Sequence, residues 1–250
     1  MELGAEVVAL LVLAAFVAGA VDAIAGGGGL ITVPALLLAG LPPAAAIGTN
    51  KAQGIWGAGA AAVAYARGGH VDLRAQAPAA AIAFGAAAAG ASLVLVVPVE
   101  ALRAALPFVL IGVAAFFALR PGLDDLDRAQ RIGAGAFAAT AVPLVAAYDG
   151  LLGPGAGAFY AIAFVALRGH GVLKAVAHTK LLNLASNAGG LAVFAASGTI
   201  LWGVGLAMAA GQVAGATLGA RLAMRSGARL VRPLMVAVSL ALALSLFLRG

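Results

Sequence analysis

The chain has 250 residues, 64% of them hydrophobic and 10% charged, with a formal net charge of +6 and no cysteine. Soluble domains carry roughly 45–50% apolar and 25% charged residues, so no single soluble core could hide this much apolar side chain. The absence of cysteine excludes disulfides, thiolate catalysis, iron–sulfur clusters and cysteine-ligated zinc, and the arginines mostly flank apolar runs, where they read as topology signals and not as a nucleic-acid footprint.

The first apolar run extends from Leu3 to Leu41, behind an acidic start (Glu2, Glu6) where a secretory signal would be basic. It is expected to remain as a membrane segment. Within it lies Asp22-Ala23-Ile24-Ala25-Gly26-Gly27-Gly28-Gly29. Glycine costs a helix interior about 1 kcal/mol per residue, so the spacing predicts a break there and a short helix over 28–40. Next comes Ala44 to Ala66, which contains Thr49-Asn50-Lys51 and Gln53, then Ala75 to Val97 and Ala101 to Leu119. The only polar linker begins at Pro121 and divides a first repeat (1–120) from a second (131–250) across 121–130.

The second half repeats the layout. Ile132 to Leu167 contains Tyr148-Asp149-Gly150-Leu151-Leu152-Gly153-Pro154-Gly155-Ala156-Gly157, predicting a second break and a short segment over 155–167. Val172 to Ala196 carries His178-Thr179-Lys180, Asn183 and Asn187; Leu201 to Leu222 and Leu234 to Leu248 complete the chain. Most runs reach the roughly 20 residues that cross a ~30 Å hydrocarbon layer. In lipid every backbone amide needs a partner, and continuous hydrophobicity excludes a barrel, so the fold class is all-α, a polytopic transmembrane helical bundle.

Lys51/Lys180, Arg103/Arg232, Arg120/Arg249, Gly69/Gly198 and Gly90/Gly219 all share one offset, 129 residues (180 − 51). This points to an internal duplication, a design common among secondary transporters. If both glycine-interrupted runs cross twice, Arg67, Arg74, Arg120, Arg128, Arg131, Arg168, Lys174, Arg221, Arg225, Arg229 and Arg232 fall on one side and Arg103 and Arg249 on the other. The positive-inside rule then predicts both termini outside and five elements per half, hence two inverted repeats with broken helices in an inner (plasma) membrane, which the family resemblance given below implies to be bacterial. Gly211, Gly215 and Gly219 recur every four residues and read as a close helix contact, not as site residues.

Exposed amides after a break, aided by the helix dipole, suit an anion, which makes Gly27, Gly28, Gly155 and Gly157 candidates. For either run alone, a tight turn at the membrane surface explains the sequence as well. A lysine at membrane depth costs about 3 kcal/mol on insertion scales and must face the interior with a partner. Lys51 and Lys180, with Thr49, Asn50, Thr179 and His178, are therefore the substrate-binding candidates. Asp22 and Asp149 are coupling groups or counter-charges, and Gln53, Asn183 and Asn187 are polar lining. The competing reading is a structural Lys–Asp pair. No metal or other cofactor is implied, and there is no Walker A loop, HExxH or GxSxG.

The run from Asp22 through Leu30-Ile31-Thr32-Val33-Pro34, followed by Gly48-Thr49-Asn50-Lys51 and loosely echoed from Asp149 to Gly157 and at His178-Thr179-Lys180, resembles the sulfite exporter TauE/SafE family. Thr32 and Pro34 lack counterparts in the second half. The resemblance implies a secondary transporter, not an enzyme, exporting sulfite or an organosulfonate such as sulfoacetate. An anion channel or a membrane-embedded enzyme is the alternative. The expected partners are the small anion and the lipid bilayer, with room for a homo-oligomer and none for nucleic acid.

Overall fold

A computed structural model describes residues 3–93 and 124–247, with 111, 115, 116, 118 and 119 between them. Arg103, Arg120 and Arg249, residues 121–123 of the linker and most of the Ala101 to Leu119 run lie outside the described residues. The described chain forms ten helices and no strand: α1 (Ala5–Ala25), α2 (Gly29–Leu38), α3 (Pro43–Arg67), α4 (Leu73–Leu93), α5 (Ala134–Ala139), α6 (Ala141–Leu151), α7 (Ala156–Arg168), α8 (Val172–Ala196), α9 (Trp202–Ser226) and α10 (Ala228–Phe247). The chain is thus an all-helical membrane protein. α1, α4, the Ala134–Leu151 stretch and α9 are each long and apolar enough to cross a bilayer.

Both foreseen breaks are present. Gly26 and Gly27 end α1 at φ 73° and 122°, and Gly153 and Gly155 separate α6 from α7 at φ 90° and 83°. Backbone in this region is sterically open only to glycine, which is why the helices stop there. The ten residues of α2 rise only about 15 Å, half the hydrocarbon thickness, so α2 cannot cross alone. A further interruption, at Thr140, was not foreseen. Pro143 has no amide for the Ala139 carbonyl and its ring crowds that group, so one stretch becomes α5 and α6.

Helix starts recur at the offset seen in the sequence: Ala5 and Ala134, Pro43 and Val172, Leu73 and Trp202 are each 129 apart (134 − 5, 172 − 43, 202 − 73). Packing exchanges elements between the halves. α1 lies along α9, α6 lies along α4, and α3 and α8 pack against each other in the middle. The first and fourth helices of opposite halves meet through glycine. A side chain on Gly211, Gly215 or Gly219 would collide with the Val12, Phe16 or Ala20 carbonyl, and one on Gly90 would strike the Ala147 carbonyl. In lipid, where apolar burial drives no helix association, such close backbone contact supplies the dispersion energy instead. Leu10, Leu13, Leu144 and Leu206 point outward, more than half exposed, as a lipid-facing surface requires.

The linker is tied down. Asp125 accepts the Leu173 amide at 2.9 Å and the Ala228 amide at 2.8 Å, so one carboxylate caps the starts of both α8 and α10. Asp127 accepts the Gly171 amide at 2.9 Å and pairs with Lys174.

The glycine contacts predict a sharp contrast in detergent thermal unfolding. Gly215→Val should destabilise by at least the roughly 1–3 kcal/mol typical of overpacking. Gly85→Ala, which meets nothing within 4 Å, should leave the midpoint unchanged or raise it; equal midpoints for the two variants would refute the packing role.

Candidate functional site

α3 and α8 bring the two lysines to the centre of the bundle, where both are fully buried. Their partners lie in the opposite half. Lys51 Nζ donates to Asp149 Oδ1 and to the Asp149 main-chain carbonyl, each at 2.5 Å. Lys180 donates to the Asp22 main-chain carbonyl, with Asp22 Oδ2 3.6 Å away. Asp22 is in the last turn of α1 and Asp149 in the last turn of α6. Each lysine therefore meets a carboxylate together with the negative end of a broken helix; the Asp22 carbonyl takes Lys180 in addition to the Gly26 amide at 2.9 Å.

The two pairs differ. Asp149 is locked: Lys51 holds one carboxylate oxygen, Ser186 donates to the other, and the side chain is 3% exposed. Asp22 is looser, with a side chain 19% exposed. Its Oδ1 accepts the Gly27 and Gly28 amides at 2.9 and 3.1 Å. Those two amides, candidates for an external anion, already hold an anion supplied by the chain.

The two breaks face one another. A side chain on Gly26 would overlap the backbone of Gly157 and Ala158, and one on Gly29 would contact the Asn50 amide nitrogen and Pro154. Between them is a small, partly open cavity of about 40 Å³ lined by Asp22, Gly27, Gly29, Asn50, Gln53, Gly54, Ala58, Asp149, Gly153, Gly155, Ala156, Gly157, Asn183, Asn187 and Gln212. A water needs roughly 10–15 Å³ on this measure, so the space suits a few waters or one very small solute. Of the predicted residues, Asp22, Gly27, Asn50, Gln53, Asp149, Gly155, Gly157, Asn183 and Asn187 meet here. Lys51 and Lys180 stand behind the aspartates and do not line the cavity.

Other candidates serve elsewhere. Thr49 accepts the Leu201 amide at 3.1 Å, and Thr179 donates to the Val176 carbonyl at 2.7 Å. His178 lies outside the cavity lining. Its Nδ1 meets the Lys174 carbonyl at 2.9 Å, and its ring packs edge-on to Phe164 and to His170, with centroids 5.4 and 4.6 Å apart. Burial, with His178 and Lys174 adding, pushes the loop residue His170 down to about 4.

The sequence reading overlooked three contributors. Thr32 donates to Asn50 Oδ1 at 2.5 Å and orients that amide. Ser186 secures Asp149, and Gln212 reaches the cavity from α9. Gln212 had a legible signal, a lone amide within an apolar run. Gln53 Oε1, Asn183 Oδ1 and Gln212 Oε1 are buried without a hydrogen-bond donor.

Comparison with known proteins gives the family. The family model for the sulfite exporter TauE/SafE matches residues 11–246. The chain belongs to the TauE/SafE family. Curated relatives include "Probable membrane transporter protein ORF9" of Sinorhizobium sp, 50% identical over 98% of this chain and 94% of that protein. "Probable membrane transporter protein" of Haemophilus influenzae is 40% identical over 96% and 94%, and "Probable membrane transporter protein YfcA" of Escherichia coli is 42% identical over 95% and 88%. No solved structure gives a significant match. Like these TauE/SafE relatives, the chain is a membrane transporter and not an enzyme.

The geometry makes the Lys51–Asp149 pair a source of stability. Removing one partner of a buried pair costs about 3–5 kcal/mol, because the other charge is stranded. Lys51→Ala should lower the unfolding midpoint markedly, and Lys51→Ala with Asp149→Ala should recover much of the loss. A double variant no more stable than the single one would show that the pairing is not the cause.

Proposed function

We propose that this transporter is a secondary carrier moving a small sulfur oxyanion, sulfite or an organosulfonate, outward across a bacterial inner membrane. The observation that carries the reading is the convergence of two glycine breaks on one small, polar cavity, with a fully buried lysine behind each wall. An anion leaving water needs compensating donors and charge. In this reading Lys180, the Gly27 and Gly28 amides and the Asn50 amide supply them once Asp22 gives up the amides it now holds, and Lys51 contributes through the field of its pair with Asp149. The cavity, at about 40 Å³, favours sulfite over sulfoacetate unless the helices part. In the proposed cycle the two halves, as inverted repeats, rock about this cavity and expose it to each side in turn, the motion typical of carriers built this way.

Two experiments test the proposal. In proteoliposomes loaded with sulfite, the wild-type protein should drive efflux that Lys180→Gln reduces at least tenfold. Lys180→Arg should keep part of it, since charge survives while geometry changes. Normal efflux from folded Lys180→Gln would overturn the role of the lysine, and absence of sulfite and sulfonate flux from the wild type would overturn the substrate class. Separately, a cysteine at Asp72 should react with an impermeant thiol reagent only from the cytoplasm, and one at Ser197 only from outside. Reaction of both from one face would rule out inverted halves.

A further inference from the structure

Asp22 occupies a site already built for an oxyanion. Its Oδ1 takes two successive main-chain amides, Gly27 at 2.9 Å and Gly28 at 3.1 Å, and its Oδ2 lies 3.6 Å from the Lys180 ammonium. Two convergent amides and a cation are what a sulfonate or sulfite oxygen set would require. The carboxylate is 19% exposed while Lys180 is 0% exposed, so Asp22 stands between the cavity and the positive charge. Asp149 has no such access: Lys51 and Ser186 take its carboxylate oxygens and its side chain is 3% exposed.

A second observation concerns the opposite wall. Gln53 Oε1, Asn183 Oδ1 and Gln212 Oε1 are buried acceptors without donors, on residues at most 4% exposed that line the same cavity as Asp22. An ionised carboxylate offers them nothing, because it only accepts; a carboxylic acid carries an O–H that can donate to one of them. Buried polar atoms are as a rule paired, so three acceptors around one cavity call for donors within it, which a water or a carboxylic acid O–H can supply.

Building on the anion-carrier reading, we propose that Asp22 couples transport to protons. A singly charged oxyanion takes over the Gly27 and Gly28 amides and the Lys180 ammonium. Asp22 meanwhile takes up one proton from the side to which the cavity is open and turns its new O–H toward an amide oxygen. The site holds one positive and one negative charge before and after the exchange, so no like charges are forced together in a low-dielectric space. One anion and one proton enter together and leave together. The charged and titratable groups around Asp22 are Lys180 from α8, Asp149 from α6, which lines the same cavity with its carboxylate held by Lys51 and Ser186, and the Tyr65 phenol from α3, which donates to the Ala23 carbonyl at 2.9 Å. From α9 the cavity receives the Gln212 amide, α7 brings the Gly157 backbone against Gly26, and α10 sends Val238 toward Gly27.

The test is calorimetric titration of the purified protein with methanesulfonate, which stays singly charged from pH 5 to pH 8, in pairs of buffers with different ionisation enthalpies. The wild type should take up about one proton per anion bound, and affinity should fall about tenfold per pH unit once Asp22 is ionised in the free protein. Asp22→Asn should bind with a flat pH profile and no proton uptake. Wild-type binding without proton uptake, or uptake that persists in Asp22→Asn, would overturn the coupling while leaving the carrier reading intact. Failure of the wild type to bind methanesulfonate or sulfite at any pH would overturn both.

Discussion

Charge buried away from water must be answered by charge, and this requirement organises the protein. Lys51 and Lys180 are fully buried, and an uncompensated ammonium there would cost more than most single packing contacts return. Each is answered twice, by a carboxylate and by the carbonyl end of an interrupted helix. The interruption is therefore part of the compensation. At Asp149 an unbroken helix would keep the carbonyl inside its own hydrogen-bond ladder; at Asp22, whose carbonyl still accepts the Gly26 amide at 2.9 Å, Lys180 is a second donor and the break instead turns the Gly27 and Gly28 amides to the carboxylate. The glycines that break the helices, the aspartates just before them and the lysines opposite form one electrostatic unit.

From that unit the surrounding packing follows. The lysine-bearing helices α3 and α8 contact each other at the centre, and α1, α4, α6 and α9 pack around them. Close approach is bought by glycine at Gly90, Gly211, Gly215 and Gly219, where backbone meets backbone. Most of the buried amides and hydroxyls sit on the inner pair, with Thr32 of α2 and Gln212 of α9 added from outside it. Such a division produces a small polar chamber with apolar walls, the general shape of a binding site for a small solute.

Much of this was legible in the sequence because it is written in short-range patterns. Apolar run length gave the helices, glycine runs gave the two breaks, and isolated polar residues in apolar runs gave most of the cavity lining. Longer-range facts were not legible. The partner of Lys51 lies 98 residues away and that of Lys180 lies 158 residues away, and nothing local distinguishes a lysine paired within its own half from one paired across. Direction around a helix was a second blind spot. His178 and Lys180 are two residues apart, which turns them some 200° from each other, so one reaches the core and the other a loop-side aromatic cluster. Thr140 shows a third, since a proline's effect falls on the preceding turn and not on its own position.

The crossed pairing also bears on how the protein is made. Because Lys51 waits for Asp149, 98 residues later, and synthesis runs at about 5–20 residues per second, the first half spends roughly 5–20 seconds in the bilayer with its lysine unanswered. During that interval Asp22 lacks its own counter-charge as well. Completion of the second half answers both charges, Lys51 by Asp149 and Asp22 by Lys180, so neither half is electrostatically complete without the other.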